Sequence, residues 1–229
     1  MDDRELALAH LDKRVVDCRR CPRLVSHREE VARVKRPAYR TETYWSRPVP
    51  GFGDPGARLL IVGLAPAAHG ANRTGRMFTG DGPRGAGDFL VSALHRAGLA
   101  NQPTSSCRDD GLRLRGVYLT AVVRCAPPRN RPSGQEIRSC LPYLVHELAV
   151  LSDVRTVLAL GKIAFDGCVG VLRSLGGTIA APRFAHAARH EPGTAFPALV
   201  ASYHPSRQNT QTGRLTPRMF DWALDQALI

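Results

Sequence analysis

The chain has 229 residues, 43% of them hydrophobic, which is enough for one α/β domain with a buried core. No run of about 18 apolar residues occurs, so no membrane-spanning helix is expected, and the acidic, polar opening MDDRELALAH does not look like a secretory leader, so a cytoplasmic location is expected. The formal net charge of +12 comes from 32 Lys plus Arg against 20 Asp plus Glu, with only three lysines among the cations. A guanidinium grips phosphate from two donors, so this excess points to a polyanion partner, most simply DNA or RNA.

Residues 3–17 carry helical spacing, with Leu6, Leu8, Leu11, Val15 and Val16 set among charges. Cys18-x2-Cys21 follows, closed by Pro22, a tight turn that aims two thiolates at one point and is used by zinc, redox and iron–sulfur sites alike. Prolines and glycines make 35–58 irregular. Arginines 36, 40 and 47 interleave there with Tyr39, Tyr44 and Trp45, a pattern that fits either a DNA backbone contact or a loop packed on the core.

Leu59–Val62 is an unbroken apolar run, the signature of a strand buried on both faces of a parallel sheet. The small, polar segment after it would lie at the strand's carboxyl end, where open α/β sheets bind ligands. A helix is expected from Gly85 to Gly98, then an exposed insertion over 100–116 that contains an incidental Cys107. Val117–Val123 reads as a second strand. Ser133 and Glu136 form a capping box that opens a helix running to about Leu151 and holding Cys140. A third strand is expected over Val154–Leu160, a helix from Gly161 to about Leu175 with Cys168 buried in it, and a loop over 176–197 with His186 and His190 unassigned. A fourth strand, Pro197–Tyr203, and a closing helix, Pro217–Leu228, complete the chain. The alternation predicts an α/β fold: a single domain over 1–229 with a central four-stranded, mainly parallel sheet flanked by helices.

Three strand ends carry unusual polar loops: GLAPAAHG from residue 63 running on to MFTGD, RCAPP from residue 124, and HPS from residue 204. Together with the spacings Cys18-x2-Cys21 and Cys125-x14-Cys140, these make the chain from about Cys18 onward resemble the uracil-DNA glycosylase superfamily, nearest to its iron–sulfur branch, family 5 or type B. The resemblance implies a monofunctional glycosylase that excises uracil or other damaged bases from DNA, with a [4Fe–4S] cluster on Cys18, Cys21, Cys125 and Cys140. The same four sulfurs also suit zinc. By the same resemblance His204 would donate to the carbonyl of the departing base, Phe78 would stack on the flipped base, and Gly63, Leu64, Ala65 and Pro66 would border the pocket.

Two departures bear on mechanism. Strict uracil enzymes carry an acid one or two residues after the glycine, where this chain has Leu64 and Ala65. The next acid is Asp81, which in the type B branch is thought to orient water or stabilise the sugar cation, and which otherwise reads as a helix N-cap. Strict enzymes also read uracil with an asparagine at the end of the second strand, where this chain has Thr120 or Ala121. Broader substrates are therefore expected, such as hypoxanthine and ethenocytosine, with Asn130 as the next available amide. Arg207 and Gln208 would enter the DNA minor groove and fill the gap left by the flipped base, and the protein would act as a monomer on single- or double-stranded DNA containing uracil. A DNA-damage-binding protein with little catalysis, or a strict uracil enzyme, are the competing expectations.

Overall fold

The computed structural model describes residues 3–80, 82 and 85–229. The helices are α1 (Asp3–Val16), α2 (Pro22–Val34), α3 (Ala71–Thr74), α4 (Ala86–Arg96), α5 (Gly134–Val150), α6 (Lys162–Ser174), α7 (Arg207–Gln211) and α8 (Pro217–Leu228). The strands are β1 (Phe52–Gly53), β2 (Leu59–Gly63), β3 (Val117–Ala121), β4 (Thr156–Leu160), β5 (Arg189–His190) and β6 (Ala198–Ser202). They form one sheet in the order β1-β3-β2-β4-β6-β5.

The expected parallel sheet is its centre. Ile61 pairs with Leu119 on one side and Leu158 on the other, and Leu158 pairs in turn with Val200, all in parallel register. Side chains alternate across the pleat. Leu60, Val62 and Val157 face Leu144 and Phe165 of α5 and α6, while Leu59, Ile61 and Leu119 face Leu90, Leu94, Phe220 and Leu224 of α4 and α8. Both faces are covered, which is why the strands read as continuous apolar runs.

The sheet has two more strands than the sequence suggested, because the two-residue antiparallel edges β1 and β5 are too short to show any periodicity. Helix α2 was also not anticipated: its buried face consists of Leu24, Val25 and Arg28, so a charge interrupts the apolar stripe. The capping box of α5 is present, with Glu136 N–H donating to Ser133 Oγ at 3.2 Å and Ser133 N–H to the Glu136 carboxylate at 2.6 Å. The 100–116 segment is not simply exposed, since Ser105 and Leu112 are buried. Among the described residues no helix is long and apolar enough to cross a membrane.

One polar knot is buried beneath α5. The Glu147 carboxylate accepts from Thr120 Oγ1 of β3 at 2.8 Å and from the Arg124 guanidinium, and both members of the ion pair are 1% exposed. Asp12 of α1 lies close enough that burial, joined by the Glu147 charge, pushes its pKa up to about 7. Removing one partner of such a pair strands the other charge, so Glu147→Ala should lower unfolding free energy by about 3–5 kcal/mol in urea titrations.

Candidate active site and sulfur cavity

The carboxyl ends of β2, β4 and β6 open into a cleft of ≈310 Å³ lined by Leu64, Leu160, Lys162, Tyr203, His204 and Asn209, among others. This size suits a nucleobase-sized ligand. His204 is half-buried in the cleft wall, and burial pushes its pKa down to about 4. At neutral pH its ring is uncharged and presents one N–H. Its backbone carbonyl accepts from Asn209 Nδ2 at 2.8 Å. Gly161, at φ 93°, lies against its side chain, where an added Cβ would stand 3.3 Å from His204 Cβ.

Phe78 is brought to the same edge of the sheet. Its ring packs on Gly63, where an added Cβ would fall 2.6 Å from the ring tip, and its backbone carbonyl packs on Gly87 of α4, where a Cβ would fall 2.2 Å from the oxygen. Both glycines are needed for close approach rather than for flexibility. Phe78 itself sits at φ 51°, an uncommon region for a bulky residue. Of the segment after β2, Leu64 lines the cleft, Ala65 is half-buried and Pro66 is buried. The carbonyls of Gly63 and Leu64 accept from Val122 and Val123 N–H, each at 3.0 Å, which carries strand-like pairing past β3.

Asp81 lies outside the described residues. Its neighbour Gly82 stands near the last loop, since a Cβ there would be 3.5 Å from Arg207 Nη2 and 3.9 Å from Tyr39 Oη. Arg207 and Gln208 are exposed on the first turn of α7, which Ser206 caps through Asn209 N–H at 3.3 Å. Asn130 is in an exposed 3₁₀ turn at φ 54°, and it is not among the residues lining the cleft. Thr120 is buried with its hydroxyl committed to Glu147, and Ala121 carries no amide, so neither reads a base edge.

Two contributors had no sequence signal. Asn209 lies on α7, just after HPS, and makes a contact to the His204 carbonyl visible only in three dimensions. His186 Nε2–H donates to Met219 O at 2.9 Å, while its Nδ1 accepts from Tyr203 N–H at 3.3 Å. Its ring stacks on Tyr203 at 5.0 Å, which steadies the residue just before His204.

Cys18, Cys21, Cys125 and Cys140 line one cavity of ≈20 Å³. Cys107 is exposed, and Cys168 is buried in α6 outside that cavity. Three of the four sulfurs accept hydrogen bonds: Cys125 from Arg28 Nη1 at 3.0 Å, Cys140 from Arg124 N–H at 3.3 Å, and Cys18 from Arg20 Nε at 3.4 Å. Burial pushes the Cys125 thiol up to about 11 and Cys140 up to about 12. Arg28 Nε and Arg124 Nε and Nη1 are buried donors without a protein partner. Four sulfurs inside a cationic wall with spare donors fit an anionic metal–thiolate group. Among the described residues, no three His, Cys, Asp or Glu side chains are placed to hold a single metal ion.

A sequence model of the Uracil DNA glycosylase superfamily matches residues 50–228, so the chain belongs to that superfamily. A type-5 uracil-DNA glycosylase of Thermus thermophilus is 56% identical over 203 residues, covering 89% of each chain. Another from Mycobacterium bovis is 52% identical over 216 residues, covering 94% of this chain and 78% of its own. One from Pyrobaculum aerophilum is 49% identical over 203 residues, covering 89% and 84% respectively. The chain is a DNA glycosylase.

The low His204 pKa carries a stability signature. Between about pH 4 and the ordinary histidine value of about 6.5, the unfolded chain binds a proton that the folded chain refuses, so His204 makes stability rise with pH in that window. Asp12, raised to about 7, acts with the opposite sign over an overlapping window, so the test compares variants. Urea midpoints of His204→Asn across the window should show a slope smaller than that of the parent by up to about one proton.

Proposed function

We propose that this chain is a monofunctional glycosylase that hydrolyses the N-glycosidic bond of uracil in DNA, and of other altered bases such as hypoxanthine and ethenocytosine. The observation that carries the reading is the placement of His204 in the cleft at the carboxyl ends of the parallel strands.

A base stacked in a duplex is out of reach, so the nucleotide must leave the helix at a cost of about a few kcal/mol. Arg207 and Gln208, exposed beside the cleft, are suited to fill the gap, and Phe78 to stack on the base. The C1′–N bond breaks with its electron pair leaving on the base. Positive charge grows on the sugar, water adds to C1′, and a proton is released. His204 donates its N–H to the carbonyl oxygen on which the base's negative charge collects. A proton held with a pKa near 4 is too strongly acidic to rest on the ring, so the group acts by hydrogen bonding rather than as an imidazolium. Asp81 is assigned the carboxylate that offsets the charge of the sugar cation. With no amide at Thr120 or Ala121, no bidentate partner is left unpaired by a base other than uracil, which supports a broad range.

In the sulfur cavity a [4Fe–4S] cluster on Cys18, Cys21, Cys125 and Cys140 would supply metal–thiolate bonds tying α2 to the loop after β3 and to α5. The protein acts on DNA as a monomer in the cytoplasm.

A labelled oligonucleotide carrying one uracil opposite guanine should be cleaved after alkali treatment. His204→Ala should lose about 10²–10³-fold in single-turnover rate with DNA binding retained, as expected for removal of one leaving-group donor. Full rate in both His204→Ala and Asp81→Asn would move the chemistry to other groups, and no cleavage by the parent would leave a DNA-binding protein.

For the cluster, purified parent and Cys107→Ser protein should be brown with visible thiolate-to-iron absorbance, and Cys125→Ser colourless or bleaching. A colourless parent containing zinc would overturn this assignment.

A further inference from the structure

The loop from Gly75 to Gly80 leads directly to the proposed carboxylate and holds Phe78, yet nothing in the reaction explains how it is kept in place. Its φ of 51° at Phe78 is disfavoured for a bulky side chain, and such a conformation persists only where the surroundings over-determine it. The surroundings here include a buried arginine. Arg76 is 5% exposed and uses all of its donor groups. Its Nε donates to Thr79 Oγ1 at 2.9 Å, Nη1 to Arg108 O at 2.8 Å, and Nη2 to Ser105 Oγ at 3.1 Å and to both Asp110 oxygens at 2.8 Å.

Asp110 is itself locked. Burial would raise its pKa, but the Leu112 N–H, the Arg76 guanidinium and the Ser106 N–H together hold it below the usual value. Ser105 then closes the link to the site loop: its hydroxyl meets Thr79 Oγ1 at 2.6 Å and its carbonyl accepts from Gly80 N–H at 2.8 Å. The 100–116 segment thus reaches into the loop through the Asp110 carboxylate, Ser105 and the Arg108 carbonyl.

We infer that Asp110 and Arg76 are positioning residues for base excision: their ion pair fixes the Phe78–Gly80 backbone, and through it the base-stacking ring. The inference rests on the role proposed above for Phe78. A buried carboxylate–guanidinium pair is poor at adding stability compared with an apolar pair, but here a single nitrogen, Arg76 Nη2, reaches both Asp110 oxygens while Nε and Nη1 hold Thr79 and Arg108, so the guanidinium is fixed from three sides. A misplacement of about 1 Å in a reacting arrangement can cost about 100-fold in rate.

The test uses the whole 229-residue chain as purified, with no metal removed or added. Asp110→Asn keeps the shape but loses the charge, and Ser105→Ala removes only hydroxyl contacts should the first variant fold poorly. Three measurements are made on each: single-turnover uracil excision at saturating protein, affinity for a duplex with a tetrahydrofuran abasic analogue, and amide hydrogen exchange by mass spectrometry. The expected result for Asp110→Asn is a rate lower by about tenfold or more, unchanged affinity, and faster exchange confined to peptides covering 77–82. Ser105→Ala should move the same readouts less.

Loop exchange that stays as in the parent overturns the inference, as does a loosened loop with an undiminished rate. Faster exchange across β2, β4 and β6, with a rate that falls only as the folded fraction falls, also overturns it in favour of a purely structural role. If the parent itself excises no uracil, the glycosylase reading fails, and the exchange pattern alone still decides whether the ion pair holds the loop.

Discussion

The Arg124–Glu147 ion pair is the interaction on which the two halves of the molecule depend. Arg124 follows β3, its backbone N–H donates to the Cys140 sulfur, and its guanidinium is buried against Glu147 of α5. Thr120 of β3 binds the same carboxylate. One carboxylate therefore connects the sheet, the helix behind it and the sulfur cavity. Two charges in such a place repay their desolvation only when their remaining bonding capacity is used. Arg124 keeps two buried N–H groups without protein partners, and it lines the cavity. These donors border the four sulfurs, where the proposed cluster would place negative charge beside them.

The same constraint explains how the active cleft is built. The cleft and the sulfur cavity both follow the carboxyl ends of the parallel strands: β2 runs into Leu64, β4 into Lys162 and β6 into His204 at the cleft, and β3 into Arg124 and Cys125 at the cavity. Securing the segment after β3 on sulfurs and a buried ion pair leaves the cleft with a rigid side, and Gly63 and Leu64 pair with Val122 and Val123 across the junction. A neutral histidine needs such rigidity, because a single hydrogen bond is directional and carries no charge to attract a badly placed leaving group.

What was legible in the sequence follows the same physics. Strands covered on both faces must be apolar at every position, so Leu59–Val62 and the runs ending at Leu160 and Ser202 announced themselves. The capping box at Ser133 and Glu136 was readable because it is local. Illegible features were those whose meaning depends on a distant partner. Arg28 sits on the buried face of α2 because a sulfur waits for it, so the helix lost its apolar stripe. Asp110 and Ser105 are polar residues that made an inward-tied segment look exposed. Asn209 reaches the cleft because the α7 turn folds it back onto His204, a contact that spacing along the chain does not show. The two-residue edge strands have no pattern to read.

Arginine is used here for two different purposes, and separating them sharpens the argument from charge. Arg76 and Arg124 are buried with their own carboxylates, Asp110 and Glu147, so both pairs cancel in the sum. Arg28, also buried, faces the sulfurs, where thiolates bound to metal would more than offset it. The formal excess of +12 therefore does not sit in the core. It belongs to the exposed cations, including Arg36, Arg40 and Arg47 in the segment before β1, and Arg207 and Arg214 after β6. Those after β6 flank the cleft mouth, where phosphates on either side of an extruded nucleotide would pass. The interior uses guanidinium because it remains charged while donating in several directions, and the surface uses it because the same fork fits phosphate. One residue type thus serves both the fixed site and its polyanionic substrate.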